Sequence, residues 1–295
     1  MGSRLKTPKR GGINHLHRLL GMRSDDTVSR DAAFVSIDLE GGENKTKTYN
    51  LGSESNIRQI GIATLDTRDL QQSSLSDDIR TLISVSFFEV IGSKQRDRQC
   101  DLTPTRIHPK DVAATITRGI CIHDDESDDD DVGSNNNTLR NIILVGHSLG
   151  SDLSILRQLG LDIASLAPVL FVLDTHSLSR YIFPPYSPLL PVAIPEGQQQ
   201  DFSLAGVLAR FSFRPAPSNF HNAANDAQYT LMAMVFLAIQ SGEGRRRQFS
   251  PAELGRLARL EKLVSGWRGS AEYPFRLSAG LREVASRILS CEARE

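Results

Sequence analysis

The 295-residue sequence has little cysteine, modest apolar content and no long hydrophobic run, and each shortage excludes a class of protein. Its three cysteines (Cys100, Cys121 and Cys291) have no repeated spacing and leave an odd one over. That pattern argues against a structural zinc site and for a reducing compartment. Because no apolar stretch makes a membrane span or a signal peptide, we expect a soluble intracellular protein, in the cytoplasm, the nucleus or both, with no membrane partner.

The charge of the chain is nearly balanced, with a formal net charge of −1. Seven acids lie within residues 124–131, and without them the rest of the chain carries about +6. A mildly basic body tolerates a polyanionic partner but falls short of a strong nucleic-acid footprint. Like charges at the density of the acidic run repel and cannot build a core, so we predict a disordered acidic insertion at about residues 123–138.

Composition divides the chain into three parts. Residues 1–30 are rich in Lys, Arg, Gly and Ser without a sustained period, which predicts a basic flexible tail. Residues 31–243 contain the apolar blocks and are predicted to form one domain. Residues 244–295 include a Ser-Pro-Ala-Glu helix start and leucines at helical spacing, which predict a C-terminal helical extension packed on that domain.

Within the domain, near-continuous or alternating apolar runs predict five strands. They cover residues 32–40, 57–66, 82–91, 141–146 and 169–174. Short connections favour an antiparallel meander for the first three strands. Helical patterns follow several of the strands, so the fold class is α/β.

Four acids stand at the ends of three separate predicted elements. Asp38 and Glu40 project from the same face of the first strand, because they are two residues apart. Asp152 and Asp226 each lie in the first turns of a predicted helix. Taken alone, the pair on the strand is also compatible with a solvated strand end. If the fold brings all four carboxylates together, they need divalent cations to remain ionised. Hard oxygen ligands of this kind select Mg²⁺ or Mn²⁺. Two such ions could cleave a phosphodiester, with His221 as general base.

A competing interpretation uses a different motif. Residues 146–150, Gly-His-Ser-Leu-Gly, fit the G-x-S-x-G nucleophile elbow of α/β-hydrolases. Ser148 would be the nucleophile, His221 the base and Asp174 a possible orienting acid. Three observations argue against this interpretation. No HGGG-type segment is present upstream to complete an oxyanion hole, and the hydrolase interpretation leaves the pair Asp38 and Glu40 unexplained. The predicted sheet also begins with a meander, whereas the hydrolase sheet needs a longer parallel series.

The acidic segments resemble exonuclease motifs I, II and III of the DEDDh 3′–5′ exonucleases, which have the ribonuclease H-like fold. Residues 38–40 resemble D-x-E, residues 147–152 the H-N-x-x-F-D stretch, and residues 221–226 match H-x-A-x-x-D. The extended pattern, with Gln59-Ile-Gly-Ile-Ala, looks most like a fungal branch of ribonuclease H-like proteins. The resemblance implies a mixed five-stranded sheet of order 3-2-1-4-5, its first three strands antiparallel, flanked by helices.

The resemblance also implies a role for each site residue. Asp38 would bridge two Mg²⁺ or Mn²⁺ ions. Glu40 and Asp226 would help to hold the ion that carries the attacking water. Asp152 would support the second ion, and His221 would be the general base. The expected partner is the 3′ end of single-stranded RNA or DNA, with RNA favoured.

The sequence departs from the family pattern at three positions. Gly41 stands where many members have Thr or Ser, Ser148 replaces an Asn, and Ser151 replaces a Phe. These changes affect the grip on substrate more than metal binding. Two alternatives to a two-metal exonuclease therefore stay open: a non-catalytic nucleic-acid-binding or scaffold protein with the same fold, and a serine hydrolase acting through Ser148.

Overall fold

A computed structural model describes residues 9–23, 31–41, 57–71, 78–93, 100–124, 138–183 and 201–265. The strands in these ranges are β1 (Lys9–Arg10), β2 (Ala33–Gly41), β3 (Ile57–Asp66), β4 (Ile83–Val90), β5 (Thr105–Ile107), β6 (Ile142–Gly146) and β7 (Val169–Asp174). The α-helices are α1 (Ile13–Leu19), α2 (Val112–Ile120), α3 (Gly150–Gln158), α4 (Ile163–Leu166), α5 (Thr175–Ile182), α6 (Leu204–Arg210), α7 (Ala223–Glu243) and α8 (Pro251–Ser265). In this part of the chain no helix combines the length and apolar character needed to span a bilayer.

The strands form one mixed sheet in the order β1-β7-β6-β2-β3-β4-β5. β3 is antiparallel to both β2 and β4, whereas β6 is parallel to β2 and β7 is parallel to β6. The α/β class is confirmed, and the five predicted strands stand in the predicted order. The sheet has two strands more than predicted, because β1 and β5 add short parallel edges.

β2 lies in the middle of the sheet with helices on both faces. Phe34 belongs to the hydrophobic cluster that includes α1, α5, α6, α7 and α8, whereas Val35 belongs to the cluster that includes α2, α3 and α4. This two-sided burial explains the near-continuous apolar sequence of the strand. The 21-residue α7 crosses the face made by β2, β3 and β4, and its apolar run is buried there.

Residues 9–23 are part of the fold, contrary to the flexible tail predicted for residues 1–30. His17 in α1 is buried against α7, with its Nε2 atom 3.2 Å from the Ala238 carbonyl oxygen and 2.6 Å from Ser241 Oγ. Burial lowers the pKa of the His17 ring to about 4. The remainder of the predicted tail lies outside the described residues.

The two ends of the predicted acidic insertion meet near the start of β2. The Asp124 N–H donates to the Thr138 carbonyl oxygen at 3.0 Å. Arg68 binds the carboxylates of Asp124 and Asp31, with N···O distances of 2.7 Å and 2.8 Å. Residues 125–137, on which the prediction of disorder falls, lie outside the described residues.

The predicted C-terminal helix is present as α8. Ser250 Oγ accepts a hydrogen bond from the Glu253 N–H at 3.3 Å, and Glu253 Oε2 accepts one from the Ser250 N–H at 2.7 Å. This reciprocal cap is what Ser-Pro-Ala-Glu encodes. Leu257 and Leu263 are buried against the main core, and residues 266–295 of the predicted extension lie outside the described residues.

Candidate metal centre

Asp38 and Glu40 lie at the carboxyl end of β2 and project from one face of the sheet. Their partners across the antiparallel ladder are Gly61 and Gln59 of β3. The register shifts between Glu40 and Gly41, so regular pairing ends where the two acids stand. The sheet therefore presents two neighbouring carboxylates at the carboxyl end of its central strand.

The N-terminus of α7 rests directly on β3. A Cβ atom on Gly61 would lie 1.9 Å from the Ala223 carbonyl oxygen, so only glycine permits this approach. Gln59 Oε1 accepts a hydrogen bond from the Ala223 N–H at 3.4 Å. Asn222 caps the helix by accepting one from the Asn225 N–H at 3.2 Å. These contacts hold the first turn of α7 against the sheet.

His221 and Asp226 are joined through the backbone. The His221 N–H donates to Asp226 Oδ2 at 2.8 Å, and His221 adopts a left-handed φ of +59°. Its side chain is 66% exposed, with Nδ1 3.8 Å from Glu40 Oε1. Glu40, His221 and Asp226 each offer a ligand atom within 4.8 Å of the other two, a spacing that suits a shared cation.

Asp152 reaches the same place from the other face of the sheet. It lies in the first turn of α3, and its Oδ1 accepts a hydrogen bond from the Leu39 N–H at 3.3 Å. Because Leu39 separates the two acids of β2, this bond brings the fourth carboxylate to them. The structure thus gathers the predicted residues into one cluster, here called the acidic centre: Asp38, Glu40, Asp152, His221 and Asp226.

The carboxylates of the acidic centre disfavour one another's ionisation. Burial and the negative charges of Asp226, Asp152 and Glu40 raise the pKa of the Asp38 carboxyl well above its ordinary value. Burial also raises the pKa of Asp152 to about 6, although the hydrogen bond from the Leu39 N–H acts in the opposite direction. Buried acids of this kind hold their charge only beside a compensating positive group.

A divalent cation fits this donor set. Asp38 Oδ2 is buried and receives no hydrogen bond from any of the described residues. A buried carboxylate oxygen without a donor is costly, and a cation can take the donor's place. The ligands are hard oxygens, which select Mg²⁺ or Mn²⁺ over softer metals.

The Gly-His-Ser-Leu-Gly turn does not assemble the predicted serine-hydrolase triad. Asp174 caps α5 through the His176 N–H at 3.0 Å, and the same oxygen accepts a hydrogen bond from the Ser148 N–H at 2.9 Å. The ring of His221 lies beside Glu40 instead of Asp174. Asp174 therefore accepts hydrogen bonds from two backbone N–H groups and from Ser177 Oγ in this structure, and it does not orient His221.

His147 packs locally against α5 and the segment before α6. Its Nδ1 atom lies 2.9 Å from Thr175 Oγ1, and its Nε2 atom lies 3.0 Å from the Phe202 carbonyl oxygen. Burial lowers the pKa of the ring to about 4. The imidazole is thus neutral near pH 7 and serves as a structural link.

Three supporting residues were not predicted: Gly61, Gln59 and Thr175. Gly61 and Gln59 act on the backbone of α7, and Thr175 acts on the backbone of the turn after β6. The pattern Gln59-Ile-Gly-Ile-Ala contains the first two, and Gly61 also carries a physical signal of its own. Glycine weakens an apolar strand and is typical of places where another backbone approaches closely.

Comparison with protein families gives a match that includes the whole acidic centre. The DEDDh family model described as "DNA polymerase III subunit epsilon-like, C-terminal domain" matches residues 33–237, more than half of the chain. That range runs from β2 into α7 and contains α3. No curated protein matches the chain. The fungal branch suggested by the sequence is not named by the match and stays a prediction.

Proposed function

Since the chain belongs to the DEDDh exonuclease family, we propose that it hydrolyses nucleic-acid phosphodiesters one nucleotide at a time from the 3′ end. The observation that carries the proposal is the acidic centre, in which four carboxylates and a histidine meet at the end of β2. The proposed substrate is single-stranded, with RNA favoured over DNA. The proposed place of action is the cytoplasm, the nucleus or both.

We assign the binding of two divalent cations to the four acids. Asp38 is the proposed shared ligand, because the charges of the other three acids all act on its carboxyl group. Glu40 and Asp226 are proposed to hold one ion, and Asp152 to support the other. When bound, two Mg²⁺ or Mn²⁺ ions supply an activated water and neutralise charge on the leaving oxygen.

His221 is the proposed general base. Its ring is largely exposed and lies 3.8 Å from Glu40, so it can take a proton from water at the acidic centre and release it to solvent. The hydrogen bond between its backbone and Asp226 supports this assignment, because it ties the position of the ring to a proposed metal ligand.

A cleavage assay on end-labelled single-stranded RNA and DNA tests the proposal. With Mg²⁺ or Mn²⁺ we expect stepwise shortening from the 3′ end, and EDTA should stop it. Asp38→Ala should lose several orders of magnitude in rate, because the proposed shared metal ligand is gone. No cleavage by the wild-type protein, or equal cleavage by Asp38→Ala, contradicts the proposal.

A second candidate is a nucleic-acid-binding or scaffold protein that keeps the fold without cleaving. Ser148 and Ser151 are exposed and smaller than the Asn and Phe that the resemblance implies, and Gly41 offers no side chain next to Glu40. These replacements weaken the grip on a terminal nucleotide. RNA binding that survives EDTA, together with no cleavage in Mn²⁺, would favour this candidate.

A further inference from the structure

The Gly-His-Ser-Leu-Gly turn has no part in the proposed chemistry, but it leads directly into α3, which contains Asp152. Only residues 147–149 separate β6 from α3. Ser148 adopts a left-handed φ of +64° to reverse the chain in this short space. A Cβ atom on Gly146 would lie 2.4 Å from the Leu149 side chain, so the turn is also tight at its start. A strained residue of this kind persists only where its surroundings hold it.

Two consecutive residues at the end of β7 hold this turn. Asp174 Oδ1 accepts a hydrogen bond from the Ser148 N–H at 2.9 Å. Thr175 Oγ1 donates to the Gly146 carbonyl oxygen at 3.0 Å and lies 2.9 Å from His147 Nδ1. Thr175 is fully buried, so its hydroxyl group forms hydrogen bonds with these protein groups instead of with water. Each of the three residues 146–148 is thus bound to Asp174 or Thr175.

An aspartate in front of a helix commonly does no more than cap that helix. Asp174 does cap α5, through the His176 N–H at 3.0 Å and Ser177 Oγ at 3.1 Å. The hydrogen bond that it accepts from Ser148 is not part of this cap, because it connects Asp174 to the strained residue of a neighbouring turn. A cap alone requires no contact with residues 146–148.

The position of Asp152 depends on this turn. Asp152 lies four residues after Ser148, and its Oδ1 contacts the Leu39 N–H at the relatively long distance of 3.3 Å. A small rotation of α3 about the turn would break that contact and move the carboxylate away from the acidic centre. Metal sites lose affinity when the groups that support a ligand are removed, because the ligand then has to be repositioned.

We propose that Asp174 and Thr175 are positioning residues for Asp152. They brace the turn between β6 and α3, and in doing so they set the affinity of the acidic centre for a divalent cation. This inference rests on the proposed function, because it treats the acidic centre as a metal site. Removal of such supporting groups lowers metal affinity by about 10- to 100-fold.

Titration of the full chain with Mn²⁺, followed by electron paramagnetic resonance, tests the inference. Thr175→Val removes the hydroxyl at nearly constant shape, whereas Thr175→Ser keeps it. We expect Thr175→Val and Asp174→Ala to raise the Kd of one Mn²⁺ ion by about 10- to 100-fold, and Thr175→Ser to restore it. Asp174→Asn retains an acceptor for the Ser148 N–H, so it should lose less affinity and covers the case in which the alanine variant fails to fold.

Asp162→Ala is the matched control. Asp162 caps α4 by accepting a hydrogen bond from the Ala164 N–H at 3.3 Å, in a helix that carries no member of the acidic centre. Wild-type Mn²⁺ affinity in Thr175→Val, or an equal loss in Asp162→Ala, overturns the positioning role and leaves the proposed function standing. A wild-type protein that binds no Mn²⁺ overturns the proposed function, and this inference with it.

Discussion

The backbone N–H of His221 donates a hydrogen bond to the Oδ2 atom of Asp226, 2.8 Å away. The proposed base therefore takes its position from a proposed metal ligand, and it does so with a left-handed backbone. Asparagine tolerates that conformation better than alanine does. The contribution of the ring can thus be separated from that of the backbone by the choice of substitution.

Replacing His221 with Asn should remove the base and keep the site. The backbone bond to Asp226 is retained, so Mn²⁺ affinity and the melting temperature should stay near the wild-type values. The kcat for cleavage should fall by about 10²- to 10⁴-fold, the usual contribution of a general base. Steady-state kinetics and Mn²⁺ titration measure the two effects. An unchanged kcat contradicts the base role, and a large loss of Mn²⁺ affinity would make the ring a ligand instead.

The metal-free protein should be destabilised by its own acidic centre as the pH rises. The pKa of Asp152 rises from 3.8 to about 6 on folding. The native state then binds more protons than the unfolded chain, and the free energy of unfolding falls through that pH window by about 3 kcal/mol. The raised pKa of Asp38 acts in the same direction.

Asp38→Asn should therefore melt at a higher temperature than the wild-type protein in EDTA at pH 7.5, because it removes one of the crowded charges. The difference in melting temperature should be smaller at pH 4.5, because burial and the neighbouring acids raise the pKa of the Asp38 carboxyl and so favour its protonated form. Differential scanning calorimetry at both pH values measures this. A lower melting temperature for the variant at pH 7.5 would show that the carboxylate makes stabilising contacts without a metal.

Divalent cations should stabilise the wild-type protein in a pH-dependent way. A ligand that binds only the native state raises the free energy of unfolding, and protonated carboxylates do not bind cations. Mn²⁺ should thus raise the melting temperature more at pH 7.5 than at pH 5, where the raised pKa of Asp152 keeps much of that carboxyl protonated. Asp38→Asn should show little of this effect. Equal stabilisation of both proteins would place the cation elsewhere.

Gly61→Ala should displace the first turn of α7. The added Cβ atom would lie 1.9 Å from the Ala223 carbonyl oxygen. Because the atoms that it would meet belong to the backbone of α7, no side chain can move aside, and the helix itself has to shift. A displacement of about 1 Å costs about 10²-fold in rate. Gly255→Ala is the control, because nothing lies within 4 Å of its added Cβ atom. We expect the control to keep full activity. Equal activity of the two variants would contradict the tight seat of α7.

Ser148→Gly distinguishes two roles for Ser148, a catalytic nucleophile and a strained residue of a turn. Glycine adopts the left-handed conformation freely, so about 1–2 kcal/mol of strain is relieved and about 0.5–1 kcal/mol of unfolded-state entropy offsets it. The variant should be as stable as the wild-type protein or slightly more so, with full nuclease activity. Labelling of the wild-type protein by a fluorophosphonate, lost in Ser148→Gly, would instead revive the serine-hydrolase alternative.

The sheet and the acidic centre were predictable because their signals are local. A strand covered on both faces needs a continuous apolar run, and the carboxylates that end it in Asp38-Leu39-Glu40 are conspicuous there. The long apolar run after Asp226 likewise predicts a buried helix with an acid in its first turn. Composition and period reach this far because each element carries its own pattern.

The remaining features depend on contacts between distant residues. α1 is a seven-residue helix in a basic segment, and it is packed against residues far along the chain, as His17 is against Ala238, which lies 221 positions away. The role of Asp174 is similarly hidden, since Ser148, the residue that it braces, is 26 positions away on another turn. A sequence pattern cannot show from which backbone N–H group a carboxylate will accept a hydrogen bond.

The hydrogen bond that joins Asp124 to Thr138 marks a useful site for an insertion. Arg68 ties Asp124 to Asp31, which precedes β2, whereas the acidic centre stands at the opposite end of that strand. About 20 Å of strand lies between them. A fluorescent protein or an affinity handle inserted there would be attached at the end of β2 opposite the acidic centre, so the proposed cleavage could be assayed in the tagged protein.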